Sequence, residues 1–331
     1  MPNNCLYIVV PCYKEEEVLP ETAKRLKAKM SELMEQGKIS ADSKVTFVND
    51  GSTDRTWEII CSLHEADKLF CGINLSRNRG HQNALLAGLM TVRDYADMVI
   101  SMDADLQDDV DAMDRMLDEY LQDDVNAVDQ MVDRYLEGYD IVYGVRSSRK
   151  TDTFFKRFTA QSYYKFIRMM GADVVYNHAD YRLMSKRALA GLSEFTEVNL
   201  FLRGIVPQIG FKSTCVTYER AERFAGESKY PLKKMLALAF EGITSFSVKP
   251  IRMVAQLGAL IAVLSVIGLI WSIVSKLTGN SVDGWSSLMA SIWLMGGLQI
   301  FCIGMIGEYV GKIYMETKHR PRYIIEQFLH D

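Results

Sequence analysis

Two hydrophobic patterns divide the chain. Up to about residue 230, short apolar runs rich in β-branched residues alternate with longer stretches whose apolar positions recur every three or four residues. The runs Leu6–Val10, Val45–Asn49, Cys71–Leu75, Met98–Met102 and Ile141–Gly144 are predicted strands. Helical patterns cover Glu15–Gln36, Asp54–Leu69, Gly80–Val92 and Asp109–Leu136, and Ser52, Thr53 and Asp54 supply cap material for the second. Such alternation predicts an α/β fold, a sheet layered by helices. Farther on the period disappears: Met253–Ser275 is 23 residues without a charge and Gly284–Gly307 is 24. Each run is long enough to cross about 30 Å of hydrocarbon as a helix.

The two runs predict a membrane hairpin over residues 253–309, with a short outer connector at 276–283 flanked by Trp271 and Trp285 at belt positions. Lys233, Lys234, Lys249 and Arg252 precede the first run, and Lys312, Lys318, Arg320 and Arg322 follow the second. The positive-inside rule then puts both ends of the hairpin in the cytoplasm. The expected organisation is a cytoplasmic α/β domain over 1–230, an amphipathic juxtamembrane segment over 231–252, the hairpin, and a cytoplasmic tail over 310–331. The expected localisation is the cell membrane, multi-pass, with the α/β domain and both termini on the cytoplasmic side.

One segment is duplicated. Residues 107–121 (QDDVDAMDRMLDEYL) and 122–136 (QDDVNAVDQMVDRYL) agree at ten of fifteen positions, and Val110, Met113, Leu117 and Tyr120 recur as Val125, Val128, Val132 and Tyr135. Each copy is predicted to be a helix with its own apolar side, its acidic side facing solvent.

Composition narrows the classes. With 38 Lys+Arg against 42 Asp+Glu the net charge is −4, so no broad basic face for nucleic acid is expected. A hydrophobic content of 48% excludes a disordered chain. The six cysteines are scattered, without a CxxC pair or neighbouring histidines, which indicates neither a zinc site nor a disulfide framework. The first thirteen residues lack a basic stretch before their apolar run and make a poor signal peptide.

Two polar motifs follow predicted strands. Met102-Asp103-Ala104-Asp105-Leu106-Gln107 sets two carboxylates on one loop, where a divalent ion would bridge them to a diphosphate. Asn49-Asp50-Gly51-Ser52-Thr53-Asp54 offers an aspartate for a base or ribose edge. In an open α/β sheet ligands collect at the carboxyl ends of strands, where the segment ending Pro11-Cys12-Tyr13 also delivers its loop. His81 and His178 read as hydrogen-bonded structural histidines rather than metal ligands.

Together VVPCYKEEEVL, VNDGSTD, RNRGHQNALLAGL and MDADLQDD resemble the GT-A glycosyltransferases of family 2. The stretch His178–Met184, the segment Glu219–Pro231 and the two C-terminal apolar runs are similar to the polyprenyl-phosphate glycosyltransferases, which include bactoprenol glucosyltransferases and dolichyl-phosphate mannose synthases. No QxxRW motif of processive synthases occurs, and the duplication departs from the family pattern just after the acidic loop.

The resemblance implies transfer of a sugar from a nucleotide diphosphate-sugar to a polyprenyl phosphate with inversion at the anomeric carbon. It implies Asp103, Asp105 and Gln107 as ligands of Mg²⁺ or Mn²⁺. Pro11, Tyr13, Glu15, Asp50, Arg79, Gly80 and Asp103 would bind the nucleotide-sugar, with Arg77 beside them. Asp180 stands at the position often assigned as catalytic base. Arg182, Arg203, Arg220, Arg223, Ser228 and Lys229 would hold the acceptor phosphate, since guanidinium forks match phosphate oxygens. The Gly80-His81-Gln82 and Arg182-Leu183-Met184 signatures favour UDP-glucose and undecaprenyl phosphate. GDP-mannose as donor, and an inactive nucleotide-sugar sensor or assembly subunit, are the rival readings. A homo-oligomer is the family expectation.

Overall fold

The computed structural model describes residues 4–102, 127–146, 178–198, 202–218 and 284–330, with isolated positions between 251 and 274. The chain forms two compact units: Met1–Tyr164, Asp173–Tyr230 and Pro321–Asp331 make one, and Lys165–Ala172 with Pro231–Arg320 make the other.

In the first unit, β1 (Leu6–Cys12), β2 (Lys44–Asn49), β3 (Phe70–Leu75) and β4 (Met98–Ser101) are parallel neighbours in the order β4-β1-β2-β3. Three further strands extend the β4 side: β6 (His178–Ser185) runs antiparallel to β4 and to β5 (Ile141–Arg146), and β7 (Ser213–Tyr218) runs parallel to β5. At the opposite edge β8 (Ile325–Leu329) is antiparallel to β3. The eight-stranded order is β7-β5-β6-β4-β1-β2-β3-β8. Strands β1 to β3 wind one way and β4 returns on the other side of β1, so a topological switch point falls between β1 and β4.

The core strands are apolar on both faces because helices cover both. On one face Leu6, Ile8, Val10, Phe47, Met98 and Ile100 meet the stripe Leu19, Leu26, Met30 and Leu33 of α1 (Leu19–Glu35) and Ala127, Val128, Met131 and Val132 of the helical stretch 127–136. Each such side chain contributes about 1.5–3 kcal/mol by leaving water. On the other face α3 (His81–Val92) lies so close that a Cβ at Gly88 would stand 2.8 Å from Val48 Cγ2 and closer still to Val9. Helix α2 (Thr56–Ala66) follows β2, α4 (Lys186–Ser193) follows β6, and α5 (Leu202–Gln208) precedes β7.

Helix α1 begins later than the pattern from Glu15 predicts. Pro20 lacks an N–H and fits the first turn, while residues 15–18 form a turn closed by Leu19 N–H on the Glu15 carbonyl at 3.0 Å. The first copy of the duplication and Val125 lie outside the described residues; in the second copy Val128 and Val132 are buried and Tyr135 is partly buried, as expected. Its acidic side is not simply solvated. Asp129 accepts from buried Lys29 Nζ at 2.8 Å and Asp133 pairs with Lys38 at 2.7 Å, so this side also grips α1.

Within the expected tail segment 310–331, Pro321–Asp331 belongs to the α/β unit and β8 completes its sheet. In the second unit, α6 (Trp285–Thr317) has 33 residues, about 50 Å at 1.5 Å per residue. Leu288, Ile292, Ile300, Phe301, Ile303, Ile306, Val310 and Ile313 are all exposed on it. Among the described residues no helix is long and apolar enough to cross a membrane.

Candidate active site

Three loops leave the carboxyl ends of β1, β2 and β3 and interlock. The first follows Pro11, a residue without an N–H, which sits in β1 opposite Val48 but beyond the last β4 pairing at Val9 and Ser101, where no ladder bond is demanded of it. This first loop is tied to the second by four hydrogen bonds, three through its backbone and one through the Glu16 carboxylate. Asp50 N–H donates to the Cys12 carbonyl at 2.9 Å, Lys14 N–H to Ser52 Oγ at 3.0 Å, Glu15 N–H to Thr56 Oγ1 at 3.0 Å, and Arg55 N–H to Glu16 Oε2 at 2.9 Å. Where Ser52–Asp54 are expected to supply the cap, α2 opens at Arg55 without a side-chain cap bond, and Asp54 Oδ1 accepts from Thr56 N–H at 3.2 Å and from its hydroxyl at 2.7 Å.

Asp50 joins the second loop to the third. Its Oδ1 accepts Arg79 N–H at 2.7 Å and its Oδ2 accepts Gly80 N–H at 2.9 Å, so one buried carboxylate organises the N-terminus of α3. Burial pushes the Asp50 carboxyl above the ordinary aspartate range, opposed by those two N–H groups and by His81 and Arg79 nearby. Beside it Gly51, at φ +63°, lies flat on the Arg77–Asn78 backbone, where a Cβ would stand 2.7 Å from Arg77 Cα and closer to two further backbone atoms. Gly80 opens α3 at φ +84° with open space at its Cβ position. The role expected of Asp50, holding a nucleotide directly, is therefore joined by one that sequence reasoning missed: clamping two loops together.

The other expected residues fall in three groups. Tyr13 is 45% exposed at the mouth of the first loop. Arg79 buries its Nε, which has no hydrogen-bond partner among the described residues. Leu202 N–H donates to Gln82 Oε1 at 3.1 Å, which brings the start of α5, and Arg203 with it, to the first turn of α3. Asp180 lies near the N-terminal end of β6, at the sheet edge where β4 ends, because the two strands are antiparallel. Arg182 is 1% exposed and its Nη1 donates to the Leu202 carbonyl at 3.4 Å, which ties β6 to the start of α5.

Asp103, Asp105, Gln107, Arg220, Arg223, Ser228 and Lys229 lie outside the described residues. Among those described, no three His, Cys, Asp or Glu side chains group to hold a metal. Met102 N–H still donates to the Val9 carbonyl at 3.0 Å, so chain continuity starts the acidic loop at the switch point between β4 and β1. An all-oxygen set of two carboxylates and an amide is chemistry suited to Mg²⁺ or Mn²⁺.

The model of glycosyl transferase family 2 matches residues 7–192, and that of the GtrB C-terminal hairpin matches residues 249–313. The uncharacterized glycosyltransferase YkoT of Bacillus subtilis (strain 168) is 52% identical over 97% of this chain and 91% of that protein. The bactoprenol glucosyl transferase of Shigella phage SfV is 38% identical over 96% of this chain and 97% of its own. The prophage bactoprenol glucosyl transferase homolog of Escherichia coli (strain K12) is 37% identical over 97% and 98%.

Proposed function

Because the chain belongs to glycosyl transferase family 2 and carries a GtrB C-terminal hairpin, we propose that it transfers glucose from UDP-glucose to undecaprenyl phosphate at the cytoplasmic face of the membrane, with inversion at the anomeric carbon. The observation that carries this reading is the full-length relation to bactoprenol glucosyl transferases, together with the three interlocked loops at the carboxyl ends of β1, β2 and β3.

The donor's nucleotide rests on the loops that Asp50 clamps, and the buried Nε of Arg79 is a donor suited to a ribose or phosphate oxygen. Asp103, Asp105 and Gln107 would hold Mg²⁺ or Mn²⁺, which when bound offsets the charge gathering on the departing diphosphate. A phosphate monoester has a second pKa near 6, so the acceptor is largely dianionic at neutral pH and is already a nucleophile. One of its oxygens bonds to the anomeric carbon as the bond from that carbon to the diphosphate breaks, and UDP leaves with the electron pair. No proton has to be removed, so Asp180 orients the acceptor rather than deprotonating it. Arg203, Arg220, Arg223, Ser228 and Lys229 offset the two anions as they approach.

Membrane attachment is supported by the hairpin match, by the two uncharged runs, and by the apolar side chains α6 presents outward. The chain leaves the α/β unit after Tyr230 and rejoins it at Pro321. Any bilayer crossing between those points is therefore even in number, which supports a position on the same side for both ends of the hairpin, and the flanking Lys and Arg residues favour the cytoplasmic one. We extend the reading to a homo-oligomer, since the apolar surface of α6 suits helix contacts as well as lipid.

The test is transfer of labelled sugar from a panel of UDP- and GDP-sugars to undecaprenyl phosphate by the full chain in detergent, with and without EDTA. Glucosyl lipid formed from UDP-glucose and abolished by EDTA is the expected result. Product from GDP-mannose instead would replace the donor, and nucleotide binding without any product would overturn the enzymatic reading.

A further inference from the structure

The strand that returns from the hairpin unit reaches the nucleotide loops through a chain of side-chain hydrogen bonds. Strand β8 pairs with β3 in the register Asn74 with Gln327 and Leu75 with Ile325, which leaves Glu326 as the extra residue of a β-bulge. Bulges re-aim side chains, and this one turns Glu326 Oε2 to accept from Asn74 Nδ2 at 3.2 Å. Asn74 Oδ1 in turn accepts from Asn49 Nδ2 at 2.7 Å, and Asn49 Oδ1 accepts from Ser52 N–H at 3.3 Å. Alongside, Ser76 N–H donates to the Ile324 carbonyl at 3.0 Å. The residues either side of Asp50 and the start of the Arg77–Gly80 loop are thus both fastened to β8.

The direction of this chain has one source. An ionised carboxylate only accepts, whereas an asparagine amide can present either end. Glu326 therefore holds Asn74 with its amino group outward and its carbonyl toward Asn49, and that selects the Asn49 orientation whose carbonyl meets Ser52 N–H. A donor in place of Glu326 would reverse both amides and set an amino group against that N–H.

We propose that Glu326 is a positioning residue for the donor site: its carboxylate fixes the polarity of the Asn74–Asn49–Ser52 chain and so the shape of the loop carrying Asp50. The statement rests on the donor-binding reading above only for its kinetic consequence. Its structural consequence is independent of which nucleotide binds.

The experiment compares Glu326→Gln, Glu326→Ala and Glu326→Lys in the full detergent-purified chain. Two readouts are taken: amide hydrogen exchange of peptides covering 49–52 and 76–80, and KM and kcat with UDP-glucose. Glutamine keeps an acceptor and stays near wild type. Alanine forfeits one solvent-accessible bond and raises donor KM about 3-fold. Lysine reverses the polarity and raises it about 10-fold, with kcat within 2-fold throughout. Exchange in the two loops accelerates in the same order. Asn74→Ala breaks the chain without touching β8, and adding Glu326→Ala to it should change nothing more; a further loss in the double variant would mean that Glu326 acts through the strand, and would overturn the proposal. Lysine no worse than alanine, or exchange unchanged in all three, would overturn it as well. Should wild type not use UDP-glucose, the functional reading falls and loop exchange alone decides this one.

Discussion

Replacing Gly51 by alanine perturbs the loop junction at its tightest point. The native φ of +63° costs an L-residue about 1–2 kcal/mol. The new methyl would also start 2.7 Å from Arg77 Cα, closer still to the Arg77 carbonyl carbon and Asn78 nitrogen, against an ordinary contact of 3.4 Å or more. These are backbone atoms that no rotamer change can move, so the two loops must part by roughly 1 Å. The Asp50 bonds to Arg79 and Gly80, at 2.7 and 2.9 Å, are carried past hydrogen-bonding distance by that shift. Each is a bond to a charged acceptor worth about 1.5–3 kcal/mol. Part of the strain relaxes by displacing the loops, so the larger effect appears in chemistry: misplacement by about 1 Å is worth on the order of 100-fold in kcat/KM for the donor. Gly37→Ala is the internal control, because its φ of +67° imposes comparable backbone strain with nothing within 4 Å of the new methyl and it lies outside the candidate site. Initial rates of glucosyl transfer against UDP-glucose concentration, with melting temperatures of both variants, give the comparison. A Gly51→Ala enzyme no more impaired than Gly37→Ala would refute the argument that the loops are held in register by direct backbone contact.

The Lys29 cluster gives a stability prediction. Burial pushes the Lys29 ammonium down, but Asp129 and Glu32 outweigh it and the net shift is upward from 10.5, so this stabilisation is fully present below pH 10.5 and is lost as pH rises through the higher folded value. Asp129→Ala should cost about 1–3 kcal/mol, the partial exposure of Asp129 lowering the figure, and Lys29→Met, which leaves the Asp129 and Glu32 carboxylates without their shared cation, should cost a similar amount and lose the alkaline dependence. Melting curves between pH 7 and 11 check both. Asp103→Asn should abolish transfer while leaving the melting temperature within a few degrees, and added Mn²⁺ should not restore it; a rate within 10-fold of wild type would remove Asp103 from the metal site. Deleting residues 321–331 uncovers the edge of β3, and light scattering should report aggregation of the purified chain; a monodisperse, equally stable deletion would mean β8 is dispensable to the sheet.

The loops proposed to bind the donor are identifiable from sequence because their motifs are local. Asp50 and Gly51 sit together at the end of an apolar run, and the acidic loop follows β4 after a single residue. Their roles were less legible. That Asp50 spends both oxygens on Arg79 and Gly80 follows from β2 lying beside β3, an adjacency that no spacing within either motif encodes. The same holds for Arg182: residues 181–185 of β6 are all buried, and its Nη1 donates to the carbonyl of Leu202, twenty residues farther along the chain.

The amino-acid order by itself determined the elements that bury their own apolar faces: the four parallel strands and α1 to α3. Those choices are local, because transfer of apolar surface out of water favours one face of a helix or one sheet layer wherever the rest of the chain lies. The tertiary structure alone decided β6, β7 and β8, whose sequences mix polar and apolar residues. Their backbone groups are satisfied by partners far away, Ile325 by Leu75 in the clearest case. It also decided that the C-terminal segment closes the sheet. A ladder hydrogen bond gains its partner only once distant strands have been brought together, so neither its existence nor the bulge that aims Glu326 is written in any one stretch of the sequence.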